Sequence, residues 1–436
     1  MRITYLHQYF NTPSMFGGTR SFEMARRLVA MGHEVNMITS WRAADGRSEW
    51  FTTEESGIRV HWLPVPYSNH MSYADRMKAF FRFAVLSARR AASIDSDLVF
   101  ATSTPLTIAL PAVYAARKQR KPMVFEVRDL WPELPIAMGA IKNPLAKAAA
   151  KMLERWAYRN SQAVVALSPG MRDGVVNAGY AADRVAVIPN SSDTGMFEIE
   201  ASERRRIRDA RPWLGDRPLL LYPGTFGKIN GVDYLVDIAR RLKDSAPDVR
   251  ILLVGDGSEK TAVTEKARNA EVLGVNLFIE DPLPKKEMPA LFCAADVVCS
   301  LFLDMPEMRA NSANKFFDTL AASKPCLLNY GGWQAELVRA SGAGLVTWQM
   351  SVEAAADELV RHLQDKAWLA KAGEKAKQLA GAFFDRDDLA RQLNSVLEFA
   401  HQERGNDASS VAPGDYRLTS RIGLNGAAST SQLMAA

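Results

Sequence analysis

Short runs of four to seven apolar residues punctuate the chain with little alternation inside them. In the first half they are RITYLHQYF, EVNMITS, DLVFATS, PMVFEVRD, AVVALS and RVAVIP. In the second they are PLLLYPG, VRILLVG, NLFIED, DVVCSLF and PCLLNY. Uninterrupted runs of this length predict strands buried on both faces, as in parallel sheets covered by helices. The segments between them carry the helical period. After RITYLHQYF come Gly17, Gly18 and Thr19, then Phe22, Ala25, Leu28 and Val29 on one helical face, with Gly32 as the stop. With EVNMITS this makes one βαβ unit whose glycine-rich loop lies at the carboxyl end of the sheet. The same alternation restarts in the second half. It predicts an α/β protein of two Rossmann-like, doubly wound domains with an interdomain cleft, a usual place for a ligand.

A change of character marks the expected boundary. Between Ser191 and Arg217 lies the charge run ASERRRIRDARPW, with Pro212, and Pro218 follows. The reading divides the chain into residues 1–205, 206–385, a last helix at 386–402 striped by Leu389, Leu393, Val396 and Leu397, and a disordered tail at 403–436 rich in Gly, Ala and Ser.

The 436 residues suit two domains, and 47% hydrophobic with 24% charged residues is globular composition. No run approaches the ~20 apolar residues of a membrane span, and the N-terminus lacks a signal-peptide apolar region, so a cytoplasmic protein is expected. Cys293, Cys299 and Cys326 fit no zinc spacing and read as buried hydrophobes, and the six scattered His residues suggest no metal site. A net charge of +5 points to anionic partners, phosphates or a membrane surface. It is too mild and too evenly spread for nucleic acid.

Five segments carry candidate chemistry. NSANKFFDTLAASKP places Asn311, Ser312 and Ala313 in a turn before a helix. Asn314 and Lys315 lie on its first turn, and Asp318 one turn on. A helix N-terminus with Lys315 beside it suits a phosphate, and Asp318 could accept ribose hydroxyls. An ordinary capped helix accounts for the segment as well. Gly17 and Gly18 are a second phosphate-scale feature, since glycine lets backbone approach a ligand. PGTFGKINGVDYL offers a backbone cradle around Thr225 and Gly227 with Lys228 on a diphosphate, or else a flexible turn. VGDGSE is a similar strand-end turn. EVRDLWPE ends a buried strand with Arg128, Asp129 and Glu133, either directed at a ligand or forming an ion-pair network. Residues 76–92 hold five basic residues and no acid, with Met77, Phe80, Phe81 and Ala84 on one stripe and Phe83 beside it. Residues 142–159 repeat the basic amphipathic pattern. Both suit helices on an anionic membrane surface, or helices whose aromatics enter the core.

In this order, the segments MRITYLHQYF…GGTRSFEMARRLVAMGHEVNMITS, EVRDLWPE, VIPNSSD, YPGTFGKINGVDYLVDIARRL, ILLVGDGSE, AADVVCSLF and SANKFFDTLAASKP resemble the retaining glycosyltransferases of family 4, which have the GT-B fold. The resemblance covers roughly residues 1–400 and looks most like the bacterial surface-polysaccharide subgroup. That subgroup includes O-antigen transferases of N-acetyl-L-fucosamine. It implies a nucleotide-sugar donor on the second domain, an acceptor on the first, a last helix crossing back to the first domain, and no cofactor or metal. Of the family's two spaced glutamates, the ribose-binding one falls at Asp318 and the sugar-contacting one at Ala310. Glu307 is close by, but at the wrong spacing. The usual diphosphate Arg and Lys fall at Thr225 and Asn230, leaving Lys228 and Lys315 as replacements. The usual first-domain His falls at Arg128.

The resemblance implies transfer from a UDP-sugar to a polyprenyl-diphosphate-linked saccharide. The enzyme would be cytoplasmic and peripheral to the inner face of the membrane. Arg128, Asp129, Lys228 and Lys315 would act in catalysis. Gly17, Gly18, Thr225, Gly227, Asn314, Asp318 and Glu307 would hold the donor. A GT-B-fold UDP-sugar 2-epimerase and a non-catalytic nucleotide-sugar-binding partner are the alternatives.

Overall fold

The structure is a computed structural model that describes residues 1–15, 17–68 and 71–402. The tail expected at 403–436 lies outside the described residues. The chain forms two compact units. The first takes Met1–Pro189 and the final helix from Asp387 on. The second takes Asn190–Arg386.

In the first unit the apolar runs become β1 (Arg2–Leu6), β2 (Glu34–Trp41), β3 (Phe51–Glu55), β4 (Ile58–Pro64), β5 (Leu98–Thr102), β6 (Met123–Val127), β7 (Ala163–Ala166) and β8 (Val185–Val187). Among the described residues they form one sheet in the order β3-β4-β2-β1-β5-β6-β7-β8. All neighbours are parallel except β3 and β4. That hairpin is missing from the sequence reading. Its turn is Ser56-Gly57, with φ of 52° and 80°, the doubly left-handed geometry that matches strand twist in a two-residue loop. The helix Arg386–Gln402 packs Leu389, Ala390, Leu393, Val396 and Leu397 into the core made by Ile3, Tyr5, Val35, Leu98 and Val165.

The second unit holds β9 (Leu219–Pro223), β10 (Arg250–Val254), β11 (Leu277–Glu280), β12 (Val297–Ser300), β13 (Cys326–Leu328) and β14 (Gly344–Val346). Their order is β11-β10-β9-β12-β13-β14, all parallel. The chain reverses its direction of travel across the sheet between β9 and β12, the switch point where open α/β sheets place ligands.

The units part at Pro189–Asn190 rather than at 205–206. The charge run folds as the helix Ala201–Asp209 and buries Ile207 against Leu219 and Leu252 of the second unit. The aromatic stripe of the basic helix Tyr73–Ser93 also divides. Phe80, Phe83 and Ala84 are core, whereas Phe81, Val85 and Leu86 are exposed beside Arg82 and Arg89. The segment has two apolar faces, and only packing decides which one turns inward.

The helix Pro144–Arg159 buries a carboxylate. Glu154 is 4% exposed and accepts a 3.1 Å bond from the Tyr158 hydroxyl. Burial, then the charge of Glu133, pushes its carboxyl up to about 7. A raised acid costs nothing below its unfolded pKa, increasingly more up to its folded pKa, and the full amount above it. Glu154→Gln is therefore expected to stabilise the first unit at pH 8 by about 2 kcal/mol after allowing for solvent screening. The gain should vanish near pH 4.5. Denaturant unfolding at the two pH values checks this, and an equal effect at both would count against it.

Candidate active site

In the first unit the β1, β5 and β6 ends meet at its own switch point. His7 follows β1 and is buried, and Nε2 accepts a 3.2 Å bond from the Arg128 guanidinium beyond β6. Burial, with Arg128 and Arg42 nearby, holds the imidazole well below its ordinary pKa, so His7 is neutral. The Arg128 backbone N–H donates to Ser103 Oγ at 2.9 Å. Asp129 accepts from the Thr104 hydroxyl at 3.1 Å, and burial raises its carboxyl although Arg128 opposes this. Gly17 has φ of 117°, and a Cβ there would lie 2.7 Å from Asn11 Nδ2. Asn11 Nδ2 in turn bonds to the Gly18 carbonyl at 3.1 Å, and Arg42 donates to Asn11 Oδ1. The glycine loop is thus tied to the β1 end. Thr19 stands at the N-terminal boundary of the helix Arg20–Ala30 behind it.

Glu126 settles the ion-pair question for its own position. It is fully buried, bonded by Arg20 at 2.9 and 3.0 Å and by the Thr102 hydroxyl at 2.6 Å. Burial pushes its carboxyl up, but Arg20, Arg128 and Thr102 outweigh it and hold the pKa below the ordinary value. Arg20 also donates to the carbonyls of Ile188 and Pro189. Glu126 is therefore a structural anchor, and Arg128 and Asp129 are the residues of EVRDLWPE left at the strand end.

In the second unit the switch point gathers the β9 turn, the β10 turn and the helix Asn314–Ala321. Gly255 and Gly257 let two loops run backbone to backbone. A Cβ on Gly255 would lie 1.8 Å from the Gly224 carbonyl oxygen, and one on Gly257 2.4 Å from that of Phe226. The Gly224 N–H bonds to Val254 O and the Phe226 N–H to Asp256 O, each at 2.9 Å. Beside this pair stands Lys315. Its Nζ donates to the Tyr222 hydroxyl at 3.2 Å and lies 4.4 Å from the Tyr222 ring centre and 5.7 Å from that of Phe302. Burial pulls its pKa down to about 8. Among the described residues no carboxylate stands within ion-pair distance of it.

The other predicted residues are placed as follows. Thr225 and Lys228 are exposed on the β9 loop, and Lys228 opens the short turn Lys228–Asn230. Gly227 lies against Asn230 Oδ1. Asn314 is exposed on the first turn of its helix. The Asn311 side chain accepts from the Ala313 N–H at 3.1 Å and so shapes the entry to that helix. Glu307 is half-buried on the turn Pro306–Ala310. Asp318 is not free for two hydroxyls. Oδ1 accepts a 2.5 Å bond from Ser192 Oγ, and burial raises its carboxyl. Sequence reading missed Tyr222, Phe302, His7 and Ser192. The one signal available was a tyrosine at the end of an otherwise aliphatic strand, LLLYPG.

Each unit thus has a glycine-bearing switch point with a half-buried cation beside it, Arg128 in the first and Lys315 in the second, an arrangement suited to an anionic ligand. Residues 17–191 match the glycosyl transferase 4-like domain, and residues 203–379 match the glycosyl transferases group 1. The chain is a glycosyltransferase of the GT-B fold. This glycosyltransferase is 25% identical over 303 residues to WcaI of Escherichia coli (strain K12), named as a colanic acid biosynthesis glycosyl transferase, a match covering 65% of this chain and 73% of WcaI. Its fold is similar to that of Anabaena Alr3699/HepE solved with UDP and glucose, with a TM-score of 0.69 at 16% identity over 91% of this chain and 99% of that one. It is also similar to WaaG, a glycosyltransferase involved in lipopolysaccharide biosynthesis, with a TM-score of 0.66 at 16% identity over 91% and 99% of the two chains.

Proposed function

We propose that this glycosyltransferase moves a sugar, of the N-acetylated deoxyhexosamine type such as N-acetyl-L-fucosamine, from a UDP-sugar to a lipid-linked saccharide in bacterial surface-polysaccharide synthesis. The observation that carries the reading is the Lys315 ammonium, half-buried at the second unit's switch point and, among the described residues, without a carboxylate to neutralise it. A half-buried cation of this kind is costly unless an anion arrives, and a diphosphate supplies one. The names of WcaI and WaaG support the polysaccharide context, and the UDP bound to HepE supports the donor class.

In the proposed reaction the donor's anomeric carbon loses its bond to the diphosphate oxygen as it gains one to the acceptor hydroxyl oxygen on the same face. The departing diphosphate takes the acceptor proton, so configuration is retained. Lys315 and Lys228 would stabilise the charge on the leaving group, with the Gly227 loop and the first turn at Asn314 beside it. Gly17 and Gly18 would lend backbone amides, and Arg128 and Asp129 would orient the acceptor. Asp318 would meet the ribose through the oxygen that Ser192 does not hold. Glu307 would face the sugar.

Membrane contact is part of the proposal. No helix of the described residues is long and apolar enough to cross a membrane. Exposed Val85 and Phe81 lie beside Arg82 and Arg89 on one helix, and exposed Leu145 and Met152 beside Lys151 and Arg155 on another. Apolar side chains among cations suit the anionic inner leaflet, where a polyprenyl-diphosphate acceptor is held.

Thermal shift against UDP, GDP, dTDP and ADP species without metal tests the donor reading. UDP species are expected to raise the melting temperature, with a ligand at 100 times its dissociation constant adding about 2.7 kcal/mol. No response to any nucleotide would overturn it. Incubation with UDP-sugar alone separates transfer from 2-epimerisation, since only an epimerase forms a new UDP-sugar without acceptor.

A further inference from the structure

We propose that Tyr222 is a positioning residue that gives the Lys315 ammonium its hydrogen-bond acceptor and so keeps it in place and charged for the donor diphosphate. This rests on the reading of Lys315 as the diphosphate ligand.

The geometry assigns each part of the phenol a separate task. Tyr222 is fully buried near the end of β9. Its hydroxyl donates to the Thr225 carbonyl at 2.8 Å, which fixes the turn that follows the strand. A phenol has one proton, so the bond from Lys315 Nζ must fall on an oxygen lone pair, and its 3.2 Å length fits that role. The ring face lies under the same ammonium at 4.4 Å, where the π quadrupole attracts a cation. Gly224 completes the fit. A Cβ there would stand 3.0 Å from Lys315 Nζ and 3.6 Å from the Tyr222 oxygen, so glycine leaves the space in which turn, phenol and ammonium meet.

Among the described residues nothing else around Lys315 accepts its hydrogen bond. The groups that face it are Tyr222 from β9, Cys299 from β12, Phe302 beyond β12 and Cys326 from β13. Burial pushes the Cys299 thiol up to about 12 and the Cys326 thiol well above its ordinary value, so both are neutral. Burial likewise raises the Tyr222 phenol, which stays an O–H donor across the working range. Among the described residues, the contacts that favour the charged form of Lys315 are therefore one lone pair and two ring faces. Removing the hydroxyl removes the only hydrogen-bond acceptor the structure gives that ammonium among the described residues.

The test is Tyr222→Phe, which keeps the ring and deletes the oxygen. Two readouts are taken. Reductive methylation with 13C-formaldehyde, with the Lys315 signal assigned by Lys315→Arg, gives the lysine pKa by NMR without any nucleotide. In the wild type the titration is expected near pH 8, and in Tyr222→Phe at least one unit lower. UDP affinity by calorimetry should then be nearly unchanged at pH 6 and about tenfold weaker at pH 8 in the variant. A structural defect in the turn would instead weaken UDP equally at both pH values, and that outcome overturns the proposal. So does a wild-type lysine that titrates near 10, which can be read even if the variant does not fold. If the wild type binds no nucleotide, the donor reading fails on calorimetry, while the NMR titration still decides the Tyr222–Lys315 link.

Discussion

Arg20→Ala lowers the stability of the first unit by about 3–5 kcal/mol, the range for breaking a buried ion pair at one end. Arg20 and Glu126 side chains are 3% and 0% exposed, and their charged groups stand 2.9 Å apart. Losing Arg20 strands a carboxylate where water cannot reach it and unpairs the carbonyls of Ile188 and Pro189. Truncating both partners to apolar groups, Arg20→Met with Glu126→Leu, should recover much of the loss, since no orphan charge remains. The Glu126 pKa is held below its unfolded value, so the pair's contribution is present above that value and lost as pH falls through the folded one. Calorimetric scans at pH 7 and pH 4 check both points. A cost under about 1 kcal/mol for Arg20→Ala at pH 7 would place the anchor elsewhere.

Lys315→Ala is expected to abolish nucleotide stabilisation rather than fold stability. Charge pairs in desolvated sites cost about 2–5 kcal/mol when one member is truncated, which is roughly 30- to several-thousand-fold in affinity. The apo protein should not suffer, because a half-buried ammonium with a pKa drawn down to about 8 is itself a cost to folding. UDP calorimetry paired with thermal melts of the apo form measures the two effects separately. Affinity lost together with fold stability would mean that Lys315 serves packing. The wild type carries a sign as well. Below pH 8 the ammonium is present and affinity is flat. Above it the free enzyme must take up a proton to bind, and affinity falls toward tenfold per pH unit.

The contacts that matter most here join residues far apart in sequence. Arg20 and Glu126 are separated by 106 positions, Tyr222 and Lys315 by 93, and Ser192 and Asp318 by 126. The sequence marked one member of each pair as unusual. It could not name the other, because that depends on which strand ends adjoin. Glu126 opens the charged segment EVRDLWPE, and only the fold shows that Arg20 and Thr102 consume it. Asp318 looked open to a ribose until Ser192 was seen on one oxygen.

By itself the sequence determined the alternation of buried strands and amphipathic helices and the α/β class. It also determined the glycine-bearing turns after β1, β9 and β10. These are local properties, since a run of apolar residues buries both its faces wherever it stands, and a turn at positive φ favours glycine whatever surrounds it. The tertiary structure alone decided the order β11-β10-β9-β12-β13-β14 that brings Tyr222 beside Lys315, the inward turn of Phe80 and Phe83 in place of Phe81, and the protonation of Lys315 and Glu154. Those follow from desolvation and from partners supplied by other strands, and a buried charge takes its energy from whatever the fold sets within a few ångströms of it.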